Sequence, residues 1–200
     1  MTSLQQHQTS TTTTERGPGI LARSRGLAVT VFIAVALYWV LNAFVVGAYR
    51  VEGRSMDDSL HNGQRLLVDK LTIRLDPYHR GDIVVLHAPG NAESATPYIK
   101  RVIGVAGDRV EIRDGSVWVN STELDEPYVR AGALTRPTTD VASWDVGSGK
   151  VLVMGDNRGK SEDSRMFGTV AVDEIIGRAV IRFWPLDTIG ILWAPSYDQR

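Results

Sequence analysis

DRVEIRDGSVWVN, residues 108–120, decides the fold class. Two runs of alternating character meet at Asp114-Gly115. An Asp-Gly step between such runs favours a type I′ hairpin, because both central residues must take positive φ. Closing the chain on that turn pairs Ile112 with Val117 and Val110 with Val119 on one face. Glu111, Arg113, Ser116 and Trp118 fall on the other. Side chains of period two with one apolar face mean strands that bury one side.

The same grammar recurs on both sides of this hairpin. QRLLVDKL (64–71), GDIVVLHA (81–88), YIKRVIGV (98–105), KVLVMGD (150–156) and IIGRAVIRFW (175–184) are short β-branched runs bounded by Gly and Asp. Their spacing predicts a mainly β, antiparallel domain. APGNAESATP (88–97) and RAGALTRPTTDVASWDVGSG (130–149) read as loops, and about 121–149 reads as a loop region or insertion.

The start of the chain is different. Residues 1–20 are rich in Thr, Gln and Ser, and the tail to residue 25 is expected to be disordered. Residues 26–49, GLAVTVFIAVALYWVLNAFVVGAY, carry no charge. As a helix they would extend about 36 Å, against roughly 30 Å of hydrocarbon. The expectation is a transmembrane helix over 26–49, followed by a β domain over 50–200. Arg16, Arg23 and Arg25 precede the run, while Arg50 and Arg54 follow it around Glu52. That bias places the N-terminus in the cytoplasm and the β domain outside.

Composition removes several chemistries. With no cysteine among 200 residues, disulfides, thiol catalysis and Cys-ligated zinc are excluded. Four histidines occur without a close pair, so no metal or other cofactor is expected. A net charge of −1 with no basic block argues against nucleic acid as a partner.

Beyond the apolar run lies VEGRSMDDSL (51–60), with Ser55 between charged neighbours and no histidine placed beside it. A lysine can replace histidine as base if burial lowers its pKa from about 10.4. Lys100 meets the requirement on paper. On a strand it shares its face with Tyr98 and Val102, while Arg101 points the other way. Spacing alone does not bring Ser55 and Lys100 together.

Four blocks in order resemble the bacterial type I signal peptidases, membrane-bound Ser/Lys endopeptidases. They are VEGRSMDDSL (51–60), RGDIVVLHAP (80–89), YIKRVIGVAGDRV (98–110) and GDNRGKSEDSRMFG (155–168). The resemblance implies Ser55 as acylating nucleophile and Lys100 as general base. It implies that Ser161 orients the lysine, and that Asp163 and Arg165 hold the site by ion pairing. Asp156, Asn157 and Arg158 would be structural, with Arg101 as ion partner. The oxyanion hole would use the Ser55 N–H. Gly53 stands where some members carry a hydroxyl. Ile99 matches a substrate-pocket position, and Met56 lies beside it in sequence.

The implied activity is removal of signal peptides from exported precursors, with cleavage after small residues at −1 and −3. The implied partners are signal peptides, the lipid bilayer and the export translocon. Met56, Leu60 and the Trp184/Trp193 region would dip into lipid. This chain departs from the family pattern at Asp58 and Ser59, where Pro and Thr are usual. Ala106 replaces another Pro, and Gly159-Lys160 replace a usual Asp-Asn pair. The alternatives are a weakened paralogue, a repressor-type Ser/Lys peptidase and a membrane-tethered β binding module.

Overall fold

The computed structural model describes residues 20–40, 45–71, 77–87, 96–195 and 197. The chain divides into two units at Val40/Leu41.

The first unit contains helix α1, Ile20–Val40. Its apolar side chains, among them Leu27, Phe32, Leu37 and Trp39, are exposed. The expected helix over 26–49 is corrected at both ends. Helix α1 begins inside the segment read as a disordered tail, whose residues 1–19 lie outside the described ones. At the other end Val46–Arg50 is a strand, β1. Val, Ala and Tyr serve a strand as well as an apolar helix, and pairing with a neighbour settles the choice. Among the described residues no helix is long and apolar enough to cross a membrane.

Among the described residues every strand pairing in the second unit is antiparallel. Among the described residues its larger sheet has eight strands. In chain order these are β1, β2 (Arg65–Asp69), β3 (Ile83–Leu86), β4 (Tyr98–Gly104), β9 (Lys150–Met154), β10 (Val170–Ala171), β11 (Ile175–Trp184) and β12 (Gly190–Ile191). The spatial order is β1-β2-β11-β3-β4-β9-β10, with β12 paired to β11.

The smaller sheet holds β5 (Arg109–Arg113), β6 (Ser116–Val119), β7 (Thr122–Glu123) and β8 (Ser143–Asp145). Its central hairpin pairs Val110 with Val119 and Ile112 with Val117, the register expected from the sequence. Asp114 and Gly115 have φ of 50° and 87°, the left-handed values the tight turn requires.

The segment 121–149 is more ordered than a loop reading implied. It supplies β7 and β8, and Trp144 and Val146 of this segment are buried in one core cluster with Val110, Ile112 and Leu152. The periodic signal was missed because each strand is only two or three residues long. The loop read over 88–97 falls mostly outside the described residues.

A second cluster packs Met56 and Leu60 against Leu66, Val68, Val85 and Ile99. Met56 and Leu60 are 2% and 1% exposed, so they are core residues and neither is available to lipid. Trp184, Leu186, Ile189, Ile191 and Trp193, by contrast, are all exposed around the β11–β12 hairpin.

Candidate active site

Ser55 sits in the turn between β1 and β2. Val51 N–H donates to the Gln64 carbonyl and Gly63 N–H to the Val51 carbonyl, which closes the base of the turn. Met56 and Leu60 anchor it from below in the core. Gly53 takes φ of +85°, a conformation open to glycine at little cost, and its N–H donates to Asn62 Oδ1 at 3.2 Å.

Lys100 lies in the middle of β4, paired across to Val84 of β3. Only 3% of it is exposed. Its Nζ reaches Ser55 Oγ at 2.9 Å and lies 4.9 Å from the centre of the Tyr98 ring. Burial pushes the Lys100 pKa down to about 8, against the opposing pull of Asp163 and Glu162. The fold therefore joins two residues 45 positions apart and makes the neutral amine accessible near physiological pH.

The block 155–168 wraps behind this pair. Asn157 N–H donates to the Ser55 carbonyl at 2.9 Å. Asp156 receives the Arg101 guanidinium at two points, 2.9 and 2.7 Å, and also accepts the Ser59 hydroxyl. Asp163 caps the short helix α2 (Ser164–Phe167), accepts the Gly155 N–H at 3.0 Å and pairs with Arg165 at 2.8 Å. Burial of Asp163 opposes its ionisation, yet these donors hold the carboxyl below its ordinary range. Ser161 Oγ is buried beside Asp163, whose ionised form it favours, and among the described residues it makes no bond to Lys100.

A cleft of about 420 Å³ opens over the pair. Gly53, Ser55, Ile99, Lys100, Lys160 and Glu162 contribute to its wall. Ile99 lines this cleft. Met56 does not, because its thioether chain is turned into the core.

Sequence reasoning missed Gly155. A Cβ there would stand 2.5 Å from the Ser55 carbonyl oxygen and closer still to Ser161 Oγ. The missed signal was a glycine opening the quoted block. It also missed the partners of the unusual residues. Asp58 accepts the Arg130 N–H at 3.1 Å, and Ser59 reaches Asp156. Among the described residues no cluster of His, Asp and Glu could hold a metal ion.

A hydroxyl touching a buried amine, on the wall of an open cleft, is equipment for serine-type acyl transfer. Residues 24–184 match the family model described as signal peptidase, peptidase S26. The chain is 34% identical to signal peptidase IB of Staphylococcus aureus, over 86% of this chain and 95% of that one. It is 39% identical to signal peptidase I of Bacillus caldolyticus, over 77% of this chain and 88% of the relative. A crystal structure of signal peptidase I from Enterococcus faecalis aligns with a TM-score of 0.41 at 29% identity, covering 52% of this chain and 97% of that one. The chain belongs to the S26 family of signal peptidases.

Proposed function

We propose that this chain is a serine endopeptidase that removes signal peptides from exported precursors, with Ser55 as nucleophile and Lys100 as general base. The observation that carries the reading is the 2.9 Å contact between Lys100 Nζ and Ser55 Oγ with the amine withdrawn from water. When the amine is neutral, the hydroxyl donates to it. Nζ takes that proton as Oγ attacks the scissile carbonyl carbon. The resulting ammonium then gives the proton to the departing amine, leaving an ester on Ser55. Lys100, neutral again, takes a proton from water as that oxygen attacks the ester, then returns it to Ser55 Oγ as the acyl–oxygen bond breaks, releasing the acid and restoring the hydroxyl and the neutral amine. The Ser55 N–H stabilises the oxyanion in this reading.

Asp163 and Arg165 hold the backbone behind the pair, and Ser161 orients the lysine. Ile99 and Gly53 face substrate, and the pocket takes small residues at −1 and −3. The exposed apolar face of α1 and the exposed tip bearing Trp184 and Trp193 support attachment to a bilayer. Helix α1 acts as a single-pass anchor with the N-terminus inside, so that the β domain lies on the outer side, close to the precursor's own apolar segment in the bilayer.

Cleavage of a precursor by Ser55→Ala and by Lys100→Ala tests the reading. Each substitution is expected to lower kcat by on the order of 10⁴ or more. Lys100→Arg is expected to be as inactive, since guanidinium stays protonated in proteins. Near-normal turnover in any of the three rules the assignment out.

A further inference from the structure

Three side chains that hold the site point towards one short stretch of chain. Asp58 belongs to the Ser55 turn, Arg101 is the neighbour of Lys100 on β4, and Arg158 follows Asn157. Their partners are Arg130, Tyr128 and Glu126. The Arg158 guanidinium is buried and paired with the Glu126 carboxylate. The Arg101 guanidinium lies over the Tyr128 ring, 4.0 Å from its centre. Asp58, 7% exposed in its side chain, accepts the Arg130 N–H at 3.1 Å and faces its guanidinium at 3.4 Å.

The partners are alternate residues, 126, 128 and 130. The stretch is a turn closed by the Val129 N–H on the Glu126 carbonyl at 3.0 Å, so one short, locally bonded piece of chain meets three elements at once. Tyr128 is itself held: its hydroxyl donates to Glu126 and receives the Tyr197 hydroxyl at 2.9 Å. The guanidinium stack also covers the face of Arg101 that its bonds to Asp156 and the Gly81 carbonyl leave free.

We propose that Glu126–Arg130 is a brace that sets the distance between the serine turn and the lysine strand, with Tyr128 and Asp58 as positioning residues. The inference rests on the Ser55/Lys100 reading. Tyr128 acts through Arg101 and Asp156, and thence through the Asn157 N–H that holds the Ser55 carbonyl. Asp58 acts on the same turn from its other end. Asp58 thereby supplies by tethering the local restriction that a proline would supply covalently. A displacement of about 1 Å between reacting groups can lower a rate 100-fold. Loosening the brace also admits water to the amine, which raises its pKa.

The test compares Tyr128→Leu and Asp58→Ala with wild type in precursor cleavage. Ser55→Ala and Lys100→Ala serve as controls, and thermal melts define the folded fraction. In folded enzyme, kcat is expected to fall by roughly tenfold or more with KM little changed. The pH at half-maximal kcat is expected to rise by roughly half a unit or more. Wild-type kcat per folded molecule with an unmoved pH profile overturns the brace, even where stability falls. If Tyr128→Leu does not fold, Asp58→Ala decides by the same readouts. Active Ser55→Ala or Lys100→Ala overturns the dyad instead, so the two failures are distinguishable.

Discussion

The Asn157 N–H donates to the carbonyl of Ser55 at 2.9 Å, so the serine turn hangs from the last block of the site. This contact needs close passage of the chain at Gly155, two residues earlier. Gly155→Ala would place a Cβ 2.5 Å from the Ser55 carbonyl oxygen, and backbone must move to admit it. A loss of about 1–3 kcal/mol in stability is expected from the overpacking. Precursor turnover should fall at least tenfold by misplacement of Oγ. Urea unfolding and a cleavage assay on the same preparation read both.

Burial of Lys100 carries a cost that its removal should reveal. The amine's pKa is about 8 in the fold and 10.5 in the unfolded chain. Between those values the unfolded chain binds more protons, so wild-type stability rises with pH across that window and the penalty is full below it. The penalty is roughly 3 kcal/mol at pH 7. Lys100→Met is therefore expected to be inactive yet more stable at pH 7, with the gain shrinking from pH 8 upward and absent above about 10.5. Denaturant midpoints at several pH values check this.

Asp163 presents the opposite sign. Its carboxyl is held below the ordinary range, so its contribution is present above pH 3.8 and is lost as pH falls through the folded value. Asp163→Asn leaves the Arg165 guanidinium, 4% exposed, without its charged partner. The expected cost is about 3–5 kcal/mol at pH 7, narrowing in acid where the wild-type carboxyl is also neutral. Unfolding curves collected at successive pH values from 7 down into acid follow the narrowing.

Ser161 carries a buried hydroxyl beside the Asp163 carboxyl, with no bond to Lys100. Replacing it with alanine removes one of the groups that favour the ionised Asp163 carboxyl, so Ser161→Ala should leave the melting temperature unchanged or slightly lower at pH 7. The proposed role in orienting Lys100 predicts a lower kcat in the same protein. A melt and a turnover number measured side by side distinguish a lysine-orienting serine from an inert one.

The sequence made the hairpin at 108–120 legible because turn chemistry and alternation agreed there. It exposed Lys100 because Tyr98 and Val102 flank it on one strand face. It could not bring that amine to Ser55, since contact across 45 residues depends on the order β1-β2-β11-β3-β4. The helix boundary near Val40 was hidden because one apolar run feeds both α1 and β1. The brace was invisible for a related reason. Glu126, Tyr128 and Arg130 look like ordinary loop residues until Arg158, Arg101 and Asp58 are placed beside them. Asp58 and Ser59 looked like lost rigidity, but tertiary partners restore it.

The protonation state of the Lys100 amine decides whether Ser55 can be activated. A heteronuclear NMR titration of the lysine Nζ groups, with Lys100→Met to assign the signal, measures it without substrate. The predicted result is a Lys100 resonance titrating near pH 8. A Lys100 amine that titrates at the ordinary 10.5 would contradict the account, because it would then be a solvated ammonium unable to take the Ser55 proton.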